Sequence, residues 1–179
     1  MKIVINCACV FLISLILAAC ASGGGIKIVQ RSDQDVARLM TINDNLIVPG
    51  ERIGPVFLGM TEEQLYRRMG NPVETQQGTG VLNGVPIIGY RYEDIIAIVQ
   101  PSAHKVVEIQ VEGTRYTTAQ GVTVGTSVLE MKAKLGRPAW EPESSDGSLY
   151  RYVFNSGGLQ IFVRKGGHVS WIDVDPPYL

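Results

Sequence analysis

The strongest constraint on the fold is a pattern that occurs twice, 66 residues apart. Apolar, glycine and proline positions recur without a gap: Val56, Gly59, Gly70 and Pro72 match Val122, Gly125, Gly136 and Pro138. Two further pairs of segments follow in the same order, Tyr90-Arg91-Tyr92 with Tyr150-Arg151-Tyr152, and 106–111 with 169–174. Similarity of this kind indicates a duplicated structural unit. We therefore expect two tandem copies of one supersecondary motif.

Each copy begins with the signals of a short helix. Thr61 and Ser127 are N-cap residues, and Gln64 and Glu130 stand three positions later, so both copies carry a capping box. Apolar residues at helical spacing follow, and a Gly-x-Pro segment ends each helix, because proline cannot continue it. Helices of about two turns are not stable alone, so each needs a sheet to pack on.

The remainder of each copy predicts three antiparallel strands separated by turn residues. The expected strands are 86–92, 94–100 and 105–112 in the first copy, and 149–154, 158–164 and 168–174 in the second. Residues 73–84 are predicted to form a long loop. The predicted fold class is α+β, with two tandem units, each a short helix packed on a three-stranded antiparallel sheet.

The N-terminus has the pattern of a secretory signal. Lys2 precedes an apolar run from Ile3 to Ala19, and small residues follow instead of a basic stop-transfer cluster. The run lies at the low edge of the about 20 apolar residues that a transmembrane helix needs. Leu17-Ala18-Ala19-Cys20 resembles the lipobox of bacterial lipoproteins, which implies cleavage before Cys20 and acylation of Cys20. Ser22 at the second mature position resembles lipoproteins of the Gram-negative outer membrane.

This interpretation divides the chain into five segments. They are a signal peptide (1–19), a flexible tether (20–25), an N-terminal extension (26–52), a first α+β repeat (53–116) and a second α+β repeat (117–179). Ser32 with Asp35 predicts a short helix within the extension. We expect the folded part to lie in the periplasm or at the cell surface, with the membrane as one partner through the lipid on Cys20.

Charge and cysteine content narrow the function further. Removing Lys2 changes the formal charge from −1 to −2, so no basic field favours nucleic acid as a partner. Cys7 and Cys9 leave with the signal and Cys20 is acylated, so no thiol remains for a disulfide. Core packing alone must then hold the fold.

The segment Gly59-Met60-Thr61-Glu62-Glu63-Gln64-Leu65, followed by Gly70-x-Pro72 and a three-strand meander, resembles the SmpA/OmlA family of small outer-membrane lipoproteins. The tandem arrangement over 53–175 resembles the β-lactamase-inhibitory-protein-like fold. The first resemblance implies an accessory role beside the machinery that inserts outer-membrane β-barrels, although that family has one unit. The second implies binding of an enzyme on a concave sheet surface. We expect a non-catalytic binding or scaffolding lipoprotein, with inhibition of a periplasmic or secreted hydrolase as the alternative.

The sequence predicts no catalytic site. Its two histidines, His104 and His168, fall in or beside predicted hairpin turns, where exposure is more usual than metal ligation. The glycine-bearing stretch 78–84 lacks the Lys-Ser/Thr ending of a phosphate-binding loop, and no Gly-x-Ser-x-Gly elbow occurs. We therefore expect no enzyme, no cofactor and no metal site.

Strand alternation predicts a sheet face that binds a protein partner of the envelope. The side chains expected to face away from the helix in the second copy are those of Gln160, Phe162, Arg164, Val169, Trp171 and Asp173, with Arg151 if Tyr150 and Tyr152 point inward. In the first copy that face is expected to carry Arg91, Ile96, Ile98, Val106, Glu108 and Gln110. Aromatic residues and arginine are enriched in binding interfaces. The alternative is that these side chains pack against the other unit or the 26–50 segment.

Overall fold

The computed structural model describes residues 28–80, 84–141, 143–144 and 146–176. The predicted signal peptide, Cys20 and the tether lie outside these ranges and stay predictions. Within these ranges, no helix has the length and apolar character needed to cross a membrane.

Three helices occur in the described residues, and each begins at a predicted N-cap. They are α1 (Asp33–Thr41), α2 (Glu62–Met69) and α3 (Val128–Leu135). At α2, the Thr61 hydroxyl accepts the Gln64 N–H, and the Gln64 side chain accepts the Thr61 N–H. Ser32 and Ser127 accept the equivalent backbone N–H at α1 and α3. The predicted helix starts are confirmed, because these caps satisfy N–H groups that the helix itself cannot.

The described residues also contain twelve strands. In chain order they are β1 (Leu46–Val48), β2 (Arg52–Ile53), β3 (Val56–Phe57), β4 (Glu74–Thr79), β5 (Pro86–Arg91), β6 (Ile95–Gln100), β7 (Lys105–Val111), β8 (Thr117–Thr118), β9 (Glu143–Ser144), β10 (Gly147–Phe154), β11 (Gly157–Arg164) and β12 (His168–Asp175). A small sheet has the order β3-β2-β1-β8, and a large sheet has the order β4-β5-β6-β7-β12-β11-β10-β9. The mixed α+β class is therefore confirmed.

The strands of the two predicted units form one continuous sheet rather than two separate three-stranded sheets. β7 pairs antiparallel with β12, so the two groups of strands meet edge to edge. We call this junction the seam. The six expected strands are present, but β9 and β4 were not predicted, and β4 lies in the expected loop 73–84. β4 shows no apolar alternation, since all six of its residues are polar or glycine and exposed, and backbone pairing with β5 holds it in the sheet.

The pairing at the seam is symmetric with respect to the sequence repeat. Gln110 and Asp173 occupy matching positions of the 106–111 and 169–174 segments, and they are paired directly with each other. The flanking pairs are Ile109 with Val174 and Val111 with Ile172. Since Ile109 matches Ile172 and Val111 matches Val174 in the repeat, each of these pairs is the counterpart of the other. The register therefore relates β7 and β12 by an approximate twofold axis through the Gln110–Asp173 pair.

Backbone bonds outside the seam also recur at matching positions. The Gly59 N–H donates to the Val106 carbonyl, and the Gly125 N–H donates to the Val169 carbonyl, each at 2.8 Å. Each helix is thus fastened to the last strand of its own group by the same type of bond.

One face of the large sheet packs on the helices and the N-terminal extension in a single core. Its members come from every part of the molecule and include Leu65 of α2, Met131 of α3, and Leu39 and Phe57 of the N-terminal region. The alternation of the second copy puts Leu159, Ile161, Val163, Ile172 and Val174 on one side of the sheet, and all five belong to this core. The extension therefore covers the helix side of the sheet, and Ile28 alone among its described apolar residues packs on the opposite face.

The expected outer face is wrong at one position in each copy. Val169 of the second copy is buried in the main core and pairs with Val163, just past a register shift between β11 and β12. Val106 is fully buried in the main core, and Val107 faces the other side with Ile96 and Ile98. The register between β6 and β7 shifts between Ile98 and Val99. A bulge adds one residue to one strand, so the alternation of inward and outward side chains changes phase there.

Candidate binding face

Phe162 and Trp171 form an aromatic pair on the face of the large sheet opposite to the helices, which we call the open face. The two residues are direct cross-strand partners on β11 and β12. Their rings are stacked, with 5.5 Å between centroids and 17° between planes. Both side chains are partly exposed. The structure brings the two residues together, and their role in binding stays a prediction.

The two predicted arginines have different environments. Arg164 is exposed at the end of β11. Arg151 has a side chain only 15% exposed, and its Nη2 donates to the Asp175 carboxylate at 3.0 Å. The Gln160 side-chain amide donates to the same Asp175 oxygen, also at 3.0 Å. Arg151 therefore neutralises a buried carboxylate, and Arg164 is the predicted site cation that remains accessible to a partner.

The first half of the sheet has a matching arginine–carboxylate group. Arg91, which aligns with Arg151, donates to Glu112 at 2.9 Å and lies 3.6 Å from Glu74. The Gln110 amide donates to the other Glu112 oxygen at 3.0 Å. Because Glu112 aligns with Asp175, an arginine, an amide and a carboxylate occur together in both halves. Sequence reasoning placed Arg91 and Arg151 on the open face but did not identify their carboxylate partners.

Two carboxyl groups lie side by side at the seam. They belong to Glu108 of β7 and Asp173 of β12, and they are close enough to share a hydrogen bond when one of them is protonated. Burial raises the pKa of Glu108 to about 7. Burial also raises the pKa of Asp173 well above its usual range, and the nearby Glu108 charge raises it further. Both shifts favour a proton held by the pair below about pH 7, because two adjacent carboxylates that are largely withdrawn from water cannot both ionise cheaply.

Asp175 completes this acidic group, because the register places it opposite Glu108 across the seam. Sequence reasoning missed the group for a structural reason: the three carboxylates come together only when β7 pairs with β12, and that pairing was not expected. Among the described residues, no set of three or more His, Cys, Asp or Glu side chains is arranged to hold a metal ion.

The open face of the first half is apolar where the second half is aromatic. Ile87, Ile96, Ile98 and Val107 form a buried cluster there, with Ile28 packed against it. The open face thus carries an apolar region, a central polar region at the seam and an aromatic region, in that order across the strands.

The remaining candidates for chemistry lie elsewhere. His104 is exposed in a turn and His168 is exposed at the start of β12, and His104 Nδ1 lies 3.6 Å from a Glu62 oxygen. A cavity of about 290 Å³ at the end of α2 is lined by residues that include Tyr92, Tyr116 and Arg115. Its lining also includes the carboxylates of Glu93 and Asp94.

Comparisons with known proteins do not assign this chain to a family. No family model matches the sequence, and no curated protein matches it. Membership of the SmpA/OmlA family therefore stays a prediction.

Several solved structures are similar in part. The uncharacterized protein yfeY from Escherichia coli is 12% identical, with 65% of this chain and 88% of that chain covered and a TM-score of 0.45. The DUF4309 family protein YjgB from Bacillus subtilis is 13% identical, with coverages of 65% and 78% and a TM-score of 0.44. A protein from Streptococcus mutans, described as a candidate β-lactamase inhibitor, is 16% identical, with coverages of 82% and 99% and a TM-score of 0.30. Because every one of these TM-scores is below 0.5, these similarities assign neither a fold family nor a function.

Proposed function

We propose that this chain is a non-catalytic, lipid-anchored binding protein of the bacterial cell envelope, and that the open face binds its protein partner. The observation that supports this function best is the Phe162–Trp171 stack, which is partly exposed on the side of the sheet away from the helices. A large apolar pair left partly exposed on a rigid sheet is typical of interaction sites. Arg164 is exposed on β11, the strand of Phe162, and adds a hydrogen-bond donor for carboxylates or backbone carbonyls of the partner.

We further infer that the two halves of the sheet descend from a duplicated helix-and-strand unit. The symmetric register at the seam and the recurring helix-to-strand bonds support this origin. In this view the repeat supplies a rigid scaffold, and the side chains of the open face supply recognition.

The anchor is tested by substituting the predicted lipid-bearing residue. Cys20→Ser should abolish incorporation of a labelled fatty acid and move the protein from the membrane fraction to the soluble fraction or leave it uncleaved, because the thioether bond needs the thiol. Ser22→Ala, at a neighbouring position, should remain acylated. A wild-type protein that fractionates as soluble and carries no acyl mass on its N-terminal peptide would remove the anchor from the proposal.

The binding face is tested by cross-linking in cells. A photo-cross-linking amino acid at position 171 should capture a protein partner, because Trp171 is partly exposed on the open face. Leu129 is the matched control, since it is an apolar residue of α3 that is 79% exposed on the other side of the sheet. Capture at 129 but not at 171 would contradict the assignment.

Binding to the purified partner then measures the energetic role of the aromatic pair. Trp171→Ala should weaken binding by about 2 kcal/mol or more, which is the usual loss at a hot spot. It should lower the free energy of unfolding by only about 1 kcal/mol, because Trp171 is partly exposed and an aromatic pair such as its stack with Phe162 contributes about that much. A soluble hydrolase as the captured partner would favour the alternative function, inhibition of a periplasmic or secreted enzyme.

A further inference from the structure

The outer edge of β4 is the one long sheet edge that the described residues leave uncovered. β4 ends the large sheet on one side, and the opposite edge, β9, has two residues. All six residues of β4 are exposed. Natural proteins usually protect such an edge with proline, lysine, a bulge or a short strand. β4, with the sequence Glu-Thr-Gln-Gln-Gly-Thr, has none of these, and its register with β5 is regular over six pairs.

The direction of the free backbone groups follows from the last bond of the β4–β5 ladder. The Gly80 N–H donates to the Val85 carbonyl at 2.8 Å, which makes Gly80 and Val85 a hydrogen-bonded pair. In an antiparallel ladder, hydrogen-bonded and non-bonded pairs alternate. The backbone groups of Gly78, Gln76 and Glu74 are therefore directed toward β5. The N–H and C=O groups of Thr75, Gln77 and Thr79 are directed outward.

These outward groups are complementary to themselves. We propose that β4 pairs antiparallel with β4 of a second copy of this chain, centred on Gln77, so that two large sheets form one continuous sheet. In this register Gln77 faces Gln77 of the partner copy, and Thr75 faces Thr79, so every outward group of the strand is used. If the antiparallel pairing were centred on Gln76 instead, Thr79 would have no paired residue within β4 of the second copy. Cross-strand threonine pairs are favourable in sheets.

Charge also favours a second copy as the occupant. Glu74 is the single charged residue of β4, and Arg91 of the neighbouring strand lies 3.6 Å from it. In the Gln77-centred pair, the Glu74 side chains of the two copies lie at opposite ends of the contact, so like charges do not face each other. A parallel arrangement would bring them together. This pairing uses neither the open face nor the lipid anchor, so it goes beyond the proposed function and does not depend on it.

Disulfide trapping of the full-length protein in cells tests the register. Gln77→Cys should give a disulfide-linked dimer on a non-reducing gel, because residues facing each other in this ladder have Cα atoms about 5.5 Å apart. Gln76→Cys is the matched control, since it is equally exposed but would lie about 8 Å from its mate, beyond disulfide reach. We expect at least about five-fold more dimer from Gln77→Cys than from Gln76→Cys or from wild type. Wild type measures any background from the native cysteines.

A proline variant tests whether the backbone edge itself makes the contact. Gln77→Pro removes an outward N–H and no bond to β5, so the fold should be kept. In a Thr75→Cys/Thr79→Cys background, which should also cross-link between copies, Gln77→Pro should abolish the dimer. Equal dimer from Gln77→Cys and Gln76→Cys, or a cross-link that survives Gln77→Pro, would overturn the proposed pairing. A disulfide adduct with a mass other than twice that of the chain would show that the edge takes a different protein.

Discussion

The two halves of the large sheet share their backbone bonds and their buried face, but their open faces differ. The helix side is apolar in both halves, and an arginine–carboxylate pair is present in both. On the strands of the seam, however, Glu108 of the first half and Trp171 of the second half occupy matching positions of the repeat. Side chains that hold the scaffold have thus stayed alike, and those on the open face have diverged. Recognition is therefore expected to depend on the second half, where the aromatic stack lies.

The largest expected loss of stability comes from substitutions in the core that the two halves share. Ile109 and Ile172 are matching residues on the two strands of the seam, and both are fully buried in the single core. Ile109→Ala and Ile172→Ala should each lower the free energy of unfolding by about 2–5 kcal/mol, because each leaves a cavity in that core. Chemical denaturation should show one transition in every case.

Val153→Ala is the control for this pair, since Val153 is 65% exposed on β10 and its truncation should change stability by less than about 0.5 kcal/mol. Two separated transitions in wild type would contradict a shared core and would make the halves independent domains.

The next effect concerns the seam position where the halves differ. The pKa of Glu108 is raised from 4.5 in the unfolded chain to about 7 in the fold. Between these values the native state holds more protons than the unfolded state, so stability should fall as pH rises from about 4.5 to 7. The loss from this group is at most about 3.5 kcal/mol, since each pKa unit corresponds to about 1.4 kcal/mol. The raised pKa of Asp173 acts in the same direction.

Glu108→Gln removes this titration while keeping a donor for Asp173, so its stability should depend less on pH over the same window. Glu112→Gln is the matched control, because Glu112 is exposed and paired with Arg91 on the same strand group. Thermal unfolding at several pH values measures both variants. Parallel pH curves for wild type and Glu108→Gln would show that the seam carboxyls do not hold a proton.

Much of the fold could be predicted from local signals, and what could not depends on distant contacts. The caps at Thr61 and Ser127 and the alternation of 158–164 are local, and the structure has them as expected. β4 was missed because an exposed strand of polar residues has no period to detect. Val106 was placed on the wrong face because a bulge changes the period without leaving a mark in composition.

The candidate site shows the same limit. Alternation placed Phe162 and Trp171 on one face, because neighbouring inward residues fix their direction. The partner of Arg151 could not be predicted, since Asp175 approaches it only through the folding of β10, β11 and β12 into one sheet. The Glu108–Asp173 pair could not be predicted either, because these two residues come together only when β7 pairs with β12.

The smallest expected effect on stability is at a turn that has the same backbone conformation in both halves but a different residue in each. His104 has a φ of 50° and Gly167, at the matching position, has a φ of 77°. Each carbonyl accepts the N–H of the first residue of a helix, from Glu62 of α2 at 3.1 Å and from Val128 of α3 at 2.8 Å. The left-handed conformation is open to glycine and costs about 1–2 kcal/mol for other residues.

Gly167→Ala should therefore lower the free energy of unfolding by about 1 kcal/mol, from backbone strain alone. A methyl group there would meet Val128 Cγ1 at 3.7 Å, which is an ordinary contact, so no clash adds to the cost. His104→Ala should change stability by less than about 0.5 kcal/mol. Histidine and alanine bear the same backbone strain at position 104, and the His104 side chain is exposed. Denaturation curves of the two variants measure the difference. Equal losses at 104 and 167 would mean that the two turns do not share the left-handed conformation, and that the correspondence between the halves ends before the last hairpin.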